Sequence, residues 1–219
     1  MVDFAAQRNR MVQRHLAARG ICDERVLAAM SKVERERFVP PALRDQAYDD
    51  CPLPIGAGQT ISQPYIVAYM VEGLAIEPGD RVLEVGAGSG YAAAVLGELA
   101  NEVYTVERIG ELHAAATQTL QTQGYDNVHV LHADGTCGWG QHAPFDAILV
   151  SAGAPEVPES LQAQLAIGGR MVIPVGRSQL TQELLRVIRV AADRYDVEHL
   201  AGVRFVPLIG KEGWADRAG

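Results

Sequence analysis

The chain has 219 residues, of which 48% are hydrophobic, and a formal net charge of -8, values that indicate one soluble globular domain. No apolar run reaches the length of a membrane span, and the first ten residues lack the apolar segment of a signal peptide, so we expect a cytoplasmic protein with no membrane partner. The three cysteines, Cys22, Cys51 and Cys137, form no C-x-x-C pair, which predicts reduced thiols and no metal site.

Residues 1–50 are predicted to form a small helical cap. A first helix ends at Gly20, and Asp23 has the position of an N-cap for a second helix, after which Pro40 prevents helix continuation. The first 44 residues contain nine Lys or Arg and five Asp or Glu, a net charge of +4, while the rest contain ten and twenty-two, a net charge of -12. The cations are dispersed without aromatic residues between them, which favours a solvated surface over a nucleic-acid site.

A segment rich in proline and glycine, residues 49–64, follows the cap. Its three prolines and two glycines predict irregular backbone, and Gln59, Thr60, Ser62 and Gln63 offer closely spaced polar groups. A linker rarely holds so many stiff and apolar residues, so we predict an ordered loop that covers a site. A further helix is predicted directly after it, before the chain enters its first strand.

The sequence V-L-E-V-G-A-G-S-G-Y, which ends at Tyr91, joins a buried strand to a helix through Gly86, Gly88 and Gly90. A dinucleotide-binding fingerprint would require a small residue in place of Tyr91, which either packs over a ligand or only begins the helix. Instead Glu84 precedes the glycines, and the stretch resembles the first motif of class I S-adenosylmethionine (SAM) methyltransferases. SAM carries an ammonium and a sulfonium but no phosphate, so an adjacent carboxylate suits it and would repel a pyrophosphate.

Acidic residues follow the next two predicted strands. Strand 103–106 ends at Glu107, nineteen residues after Gly88, where an acid commonly binds the ribose hydroxyls of a nucleotide. Strand 128–131 leads into Asp134. Together with the acid of the first strand, these residues predict a row of carboxylates along one edge of the sheet.

Strands and helices alternate from residue 80 to residue 175, which predicts an α/β fold with a doubly wound, mostly parallel sheet of the Rossmann-like type. Three further strands are predicted near the C-terminus, with antiparallel pairing between two of them, at 183–190, 195–200 and 203–208. We predict a single methyltransferase domain over 1–219 with three parts, namely the N-terminal helical cap at 1–50, an active-site loop at 51–64 and a SAM-binding core at 65–219.

The chain resembles the protein-L-isoaspartate O-methyltransferases over nearly its whole length. Many methyltransferases share the glycine motif, but the stretch 53–64 is far more specific to this family. The resemblance rests on six motifs in order: D-D-C-P-L-P-I-G-A-G-Q-T-I-S-Q-P at 49–64, V-L-E-V-G-A-G-S-G-Y at 82–91, V-Y-T-V-E-R at 103–108, A-D-G at 133–135, G-G-R-M-V-I-P-V-G at 168–176 and R-F-V-P-L at 204–208.

The resemblance implies a role for each matching position. Ser62 corresponds to the active-site serine, whose hydroxyl meets the substrate carboxylate. The positions that correspond to contacts of SAM, or of its product S-adenosylhomocysteine (SAH), are Thr60 and Ile61 beside the serine, Glu84, Gly86, Gly88 and Ser89 at the methionine part, Glu107 at the ribose, and Asp134 with Gly135 at the adenine. Thr181 and Gln182 lie near a substrate contact of the family, in a loop that is longer here.

Methyl transfer to a carboxylate requires no general base, because a group with a pKa of about 4 is already ionised near neutral pH. The loop agrees with this chemistry, since 49–64 contains no His, Lys or Glu. Ser62 is expected to orient the carboxylate, and no G-x-S-x-G elbow surrounds it for a covalent role. The resemblance therefore implies SAM-dependent methylation of L-isoaspartyl residues in damaged proteins and peptides, the first step of their repair. We expect the protein to be a monomer.

Three alternatives remain open on the residues alone. The first is a SAM-dependent methyltransferase of the same scaffold that acts on a small molecule or on RNA, which the substrate loop disfavours. The second is a non-catalytic SAM-binding or partner-binding module, which the intact set of predicted site residues disfavours. The third is a nicotinamide enzyme, already disfavoured by Tyr91.

Overall fold

A mixed sheet forms the centre of the molecule in the computed structural model, which describes residues 2–216. The strands of the described chain are β1 (Leu53–Gly56), β2 (Gln59–Ile61), β3 (Arg81–Val85), β4 (Glu102–Glu107), β5 (Val128–His132), β6 (Phe145–Val150), β7 (Leu165–Ser178), β8 (Thr181–Ala191) and β9 (Arg194–Val203). Seven of them form the sheet in the order β5-β4-β3-β6-β7-β8-β9. The first five in this order are parallel, and β8 and β9 are antiparallel additions. The predicted fold class is confirmed.

The helices begin and end close to the predicted signals. They are α1 (Phe4–Met11), α2 (Glu24–Lys32), α3 (Pro64–Leu74), α4 (Tyr91–Gly97), α5 (Gly110–Thr122) and α6 (Glu159–Gln164). After α1 the chain continues through a π-helical and a 3-10 turn to Gly20, whose φ of 99° ends the helix. The carboxylate of Asp23 accepts hydrogen bonds from the N–H groups of Arg25 and Val26, as an N-cap does.

Successive residues of the central strands pack on opposite sides of the sheet, as the pleat requires. On one side, Val82 belongs to a core that includes α3, α4 and the N-terminal cap. On the other, Leu83 and Val85 pack in a second core with Leu161 of α6. The cap therefore shares a hydrophobic core with the helix that follows the glycine loop, and no helix among residues 2–216 is both long and apolar enough to cross a membrane.

Two predicted segments differ in the structure. Part of 49–64 is regular, because β1 and β2 form an antiparallel hairpin. Pro54 is tolerated in a two-stranded ribbon, and Gly56 and Gly58, with φ of 96° and 69°, form its turn. The predicted strand 203–208 is wrong: β9 ends at Val203, and among the described residues after it only isolated bridges follow, one at Pro207 and one between Ile209 and Trp214. Pro207 lacks the N–H needed to extend a ladder.

Candidate active site

A cleft opens at the carboxyl ends of β3, β4 and β6, the edge at which open α/β sheets bind their ligands. It contains about 1010 Å³ of space, counting its open mouth. The walls come from five parts of the chain: the hairpin residues Gln59, Thr60, Ile61 and Ser62; Val67 and Met70 of α3; the glycine segment 84–89 with Tyr91 and Ala92; residues 106–109 with Gly135; and Leu149, Ser151 and Ala152 with the C-terminal segment 206–209. Most of the predicted SAM contacts therefore share one cavity.

The backbone of the glycine loop adopts a conformation that residues with a side chain rarely adopt. Gly86, Gly88 and Gly90 have φ values of 94°, 56° and 87°, all in the left-handed region. A Cβ at Gly88 would lie 3.3 Å from Cδ1 of Ile55 on the hairpin. The loop thus passes close beneath the hairpin, and the missing side chains leave the cavity between them open.

Glu84 is completely buried on the floor of the cleft. Its Oε2 accepts a hydrogen bond of 2.6 Å from Oγ1 of Thr105, while its Oε1 has no hydrogen-bond partner among the described residues. Burial raises the pKa of Glu84 to about 8, and the Thr105 hydrogen bond opposes that rise while the charge of Glu107 adds to it. A buried, unpartnered carboxylate oxygen fits a cationic ligand group, such as the ammonium of SAM.

Glu107 ends β4 with both carboxylate oxygens engaged by backbone. Oε2 accepts from the N–H of Gly88 at 2.9 Å, and Oε1 accepts from the N–H of Ile109 at 2.8 Å. Each oxygen keeps further acceptor capacity, and the residue lines the cleft. This fixed carboxylate is suited to accept hydrogen bonds from a pair of ribose hydroxyls.

Ser62 lies directly after β2, part-buried, on the cleft wall that faces the glycine loop. The hairpin register pairs Leu53 with Ile61 and so fixes the end of β2. The backbone carbonyl of Ser62 accepts a hydrogen bond of 2.9 Å from Nη2 of Arg35 in the cap. The hydroxyl is therefore supplied by a segment anchored on both sides.

Three residues predicted to contact ligands lie outside the cleft walls. The carboxylate of Asp134 accepts hydrogen bonds from the N–H and hydroxyl of Thr136 at Oδ1 and from the N–H of Lys211 at Oδ2. Gln182 is buried and joins the N–H of Phe205 to the carbonyl of Ser178, while Thr181 is exposed at the start of β8. In this geometry, Asp134 and Gln182 hold the C-terminal segment that forms one wall.

Several residues of the site carried a weaker sequence signal. Thr105 is a polar residue inside an otherwise apolar strand, directly in register with Glu84 on the neighbouring strand. The R-F-V-P-L motif at 204–208 resembles a family motif, but its alternating pattern predicts a strand and gives no sign that residues 206–208 line the cleft. Arg35 lies in a charged stretch that is typical of a solvated surface, and only the fold shows its burial.

The fold and the cleft together define a class I SAM-dependent methyltransferase: a doubly wound sheet, a left-handed glycine loop, a buried acid with a free oxygen, and a second acid at the next strand end. The sequence profile of the family described as Protein-L-isoaspartate(D-aspartate) O-methyltransferase (PCMT) matches residues 6–213. The chain belongs to that family.

Individual relatives agree with this membership. The chain is 59% identical over 215 residues to Protein-L-isoaspartate O-methyltransferase 1 of Rhodopseudomonas palustris (strain HaA2), covering 98% of this chain and 88% of the relative. It is 60% identical over 204 residues to Protein-L-isoaspartate O-methyltransferase of Rhodopseudomonas palustris (strain ATCC BAA-98 / CGA009), covering 93% of this chain and 94% of the relative. A solved protein-L-isoaspartate O-methyltransferase superposes with a TM-score of 0.84 at 28% identity, covering 94% of this chain and 67% of that one. A Plasmodium falciparum structure described as a member of this family, in complex with SAH, superposes with a TM-score of 0.80 at 26% identity, covering 95% and 99%.

Proposed function

We propose that the protein transfers a methyl group from SAM to the free carboxylate of L-isoaspartyl residues in damaged proteins and peptides, which initiates their repair. One observation carries this proposal beyond family membership: the hydroxyl-bearing hairpin end at Ser62 and the glycine loop line the same cleft. The described residues on its walls include no His or Lys. A nucleophile that is already ionised, such as a carboxylate, requires neither.

The cofactor half of the cleft is assigned to the strand ends. SAM, when bound, supplies an electrophilic methyl group on its sulfonium. Oε1 of Glu84, which has no hydrogen-bond partner among the described residues, would accept from the ammonium group, and the backbone-held carboxylate of Glu107 would accept from the ribose hydroxyls. The remaining contacts are assigned to wall residues that leave backbone groups or small side chains at the cavity, namely Thr60, Ile61, Gly86, Gly88, Ser89 and Gly135.

The substrate half is assigned to the hairpin. The Ser62 hydroxyl would donate a hydrogen bond to one oxygen of the isoaspartyl carboxylate and leave the other oxygen free to bond to the methyl carbon. The carbon–sulfur bond of SAM would break in the same step, with its electron pair remaining on the sulfur of SAH. No proton is transferred, because the carboxylate is ionised and the product is a neutral ester. The apolar walls, including Val67, Met70 and Leu208, restrict water around the reacting atoms.

We assign supporting roles to the predicted residues that lie off the walls. Asp134 and Gln182 hold the segment 205–211, which brings Val206 and Ile209 against the cavity. Thr181 begins the strand that carries Gln182 and is exposed. We assign it to the surface outside the cleft over which the peptide approaches. Asp134 and Gln182 therefore affect the ligands indirectly, by positioning the wall residues that contact them.

The activity is tested with two peptides of identical composition, one containing an L-isoaspartyl residue and the other L-aspartyl at the same position. Incubation with methyl-labelled SAM is expected to give base-labile label in the isoaspartyl peptide alone. Equal labelling of both peptides, or none, would contradict the proposed substrate. A parallel incubation with RNA tests the alternative substrate class, because label in the RNA would favour it.

We further propose that the whole chain works as one domain and as a monomer in the cytoplasm, without a nucleic-acid partner. One chain supplies both the hairpin side and the strand-end side of the cleft, and the three cysteines are unpaired. Several cations of the N-terminal region are engaged by carboxylates rather than presented as a free basic patch, in the pairs Arg8–Glu34, Arg19–Asp50, Lys32–Glu98 and Arg37–Glu34. Light scattering after gel filtration tests the monomer, and a dimer mass would contradict it.

A further inference from the structure

Arg35 is a fully buried residue of the cap that reaches the active-site segment at two points. Its Nε donates to the carbonyl of Ala47 at 2.7 Å, and its Nη2 donates to the carbonyl of Ser62 at 2.9 Å. These two carbonyls flank residues 48–61, the stretch that contains the β1–β2 hairpin. One planar guanidinium therefore joins the beginning and the end of this segment at its base.

If Arg35 served only to stabilise the fold, burying its guanidinium would carry an unnecessary desolvation cost. No carboxylate among the described residues lies within ion-pair distance of Arg35, and its Nη1 has no hydrogen-bond partner among them. The cation lies 4.8 Å from the ring centre of Tyr91, the first residue after the glycine loop. Burial lowers the pKa of Arg35, as expected for a charge removed from water. An apolar side chain would fill this space without the desolvation cost.

We propose that Arg35 is a positioning residue for methyl transfer, which closes the base of the active-site segment and thereby fixes the Ser62 hydroxyl relative to the cleft. The proposal rests on the role assigned to Ser62 above. Arg35 is not itself a wall of the cleft and touches neither ligand directly. Its effect should fall more on turnover than on cofactor affinity, because the carboxylates assigned to the cofactor, Glu84 and Glu107, lie on strand ends outside the segment that Arg35 closes, whereas only Thr60 and Ile61 of the assigned cofactor contacts lie within it.

Lysine is the informative replacement at this position. A lysine keeps the positive charge but presents a single ammonium, which cannot reproduce the planar fork that spans two carbonyls. Arg25 provides a matched control, because its Nη1 and Nη2 also donate to two backbone carbonyls, those of Ile76 at 2.6 Å and Leu99 at 2.9 Å. That fork ties the cap to the core away from the hairpin.

The experiment measures kcat with an isoaspartyl peptide and the Kd of SAH by calorimetry. We expect Arg35→Lys to lower kcat by about 10- to 100-fold, the range for a small misplacement of a reacting group, with the Kd of SAH changed by less than about threefold. Arg25→Lys is expected to lower the melting temperature without lowering kcat. Hydrogen exchange is expected to accelerate in residues 48–61 of Arg35→Lys but not of Arg25→Lys.

A double-mutant cycle separates this inference from the function on which it rests. If Arg35 acts through Ser62, Arg35→Lys should change kcat by less than about twofold in a Ser62→Ala background. The positioning role would be overturned if the double variant lost kcat by the product of the two single losses, or if Arg35→Lys alone left kcat unchanged. An unchanged kcat in Ser62→Ala alone would instead contradict the proposed function of Ser62. If Arg35→Lys does not fold, Arg35→Gln, which keeps an amide donor, takes its place with the same expected and overturning results.

Discussion

Thr105 donates its hydroxyl hydrogen to Oε2 of Glu84 over 2.6 Å, between two residues that are register partners on adjacent parallel strands. This bond satisfies one carboxylate oxygen of a completely buried acid and leaves Oε1 without a partner among the described residues. A buried acceptor without a partner is destabilising in the free protein. A ligand that brings a cationic donor removes that penalty, so the cost of the empty acceptor becomes binding free energy.

Glu84→Gln is expected to weaken SAH binding by about 10- to 100-fold. The substitution keeps the shape of the side chain but removes the negative charge, and a hydrogen bond to a charged group contributes about 1.5–3 kcal/mol. Calorimetric titration with SAH measures the effect. Thr122→Val, at the exposed end of α5, is a control that should leave the Kd unchanged. Wild-type affinity in Glu84→Gln would show that the ammonium binds elsewhere.

The affinity for SAH is expected to rise with pH below about 8. Burial raises the pKa of Glu84 to about 8, so the free protein holds a proton there near neutrality, whereas the ammonium favours the ionised carboxylate. Binding must then release a proton, and affinity should rise by up to about tenfold between pH 6 and pH 7. Calorimetry in two buffers of different ionisation enthalpy counts the released proton. The release should be absent in Glu84→Gln, and its persistence there would assign it to another group.

The sequence predicted those features that depend on local order. The N-cap at Asp23, the helix end at Gly20 and the strand ending at Glu107 each require only neighbours along the chain. The parallel order of the sheet followed from the alternation of strands and helices. The acids at the strand ends are therefore predictable from the sequence without knowledge of their contacts.

Contacts between distant segments were beyond this reasoning. Prolines argue against strands, so the sequence predicts irregular backbone at 49–64, yet the hairpin forms because Pro54 lies in a two-stranded ribbon with no further strand to pair. The sequence predicts that Asp134 faces a ligand but gives no sign that its Oδ2 also accepts from the N–H of Lys211, which is 77 residues away in sequence. Burial of Arg35 likewise depends on how the cap packs, and a charged stretch gives no sign of it.

Asp134→Ala is expected to weaken SAH binding by about threefold to tenfold by loosening one cleft wall. Burial would raise the pKa of Asp134, but hydrogen bonds from the Lys211 backbone and from Thr136 together lower it, so the residue is a charged acceptor for both. Without it, the N–H of Lys211 loses its partner, and hydrogen exchange should accelerate in residues 206–213. Loss of a charged hydrogen-bond acceptor costs about 1.5–3 kcal/mol, part of which should appear in binding.

A suitable control for this variant is Asp146→Ala. Asp146 also accepts from a backbone N–H, that of Arg81 at 2.9 Å, but at the beginning of the strands, away from the cleft. Asp146→Ala should lower the free energy of unfolding without changing the Kd of SAH. Equal losses of affinity in the two variants would show that Asp134 acts only through overall stability.

Gly135→Ala is expected to destabilise the protein by about 1–3 kcal/mol and to weaken SAH binding, because the added methyl group overpacks the floor of the cleft. A Cβ at this position would lie 2.6 Å from Cγ1 of Val85 in the buried strand β3. Chemical denaturation measures the loss. Gly202→Ala is the control, since a Cβ there meets no atom within 4 Å. Combining Gly135→Ala with Val85→Ala should restore part of the affinity, and no recovery would contradict the steric explanation.

Ser62→Ala is expected to keep SAH binding within about twofold and to lower kcat by about 10- to 100-fold, the equivalent of one hydrogen bond to a charged group. The hydroxyl lies on the hairpin side of the cleft, while the carboxylates assigned to the cofactor lie on the strand ends opposite. Ser62→Thr retains a hydroxyl and should retain more turnover than Ser62→Ala. Calorimetry distinguishes the two possible roles, because a large loss of SAH affinity in Ser62→Ala would place this residue in the cofactor pocket instead of against the substrate carboxylate.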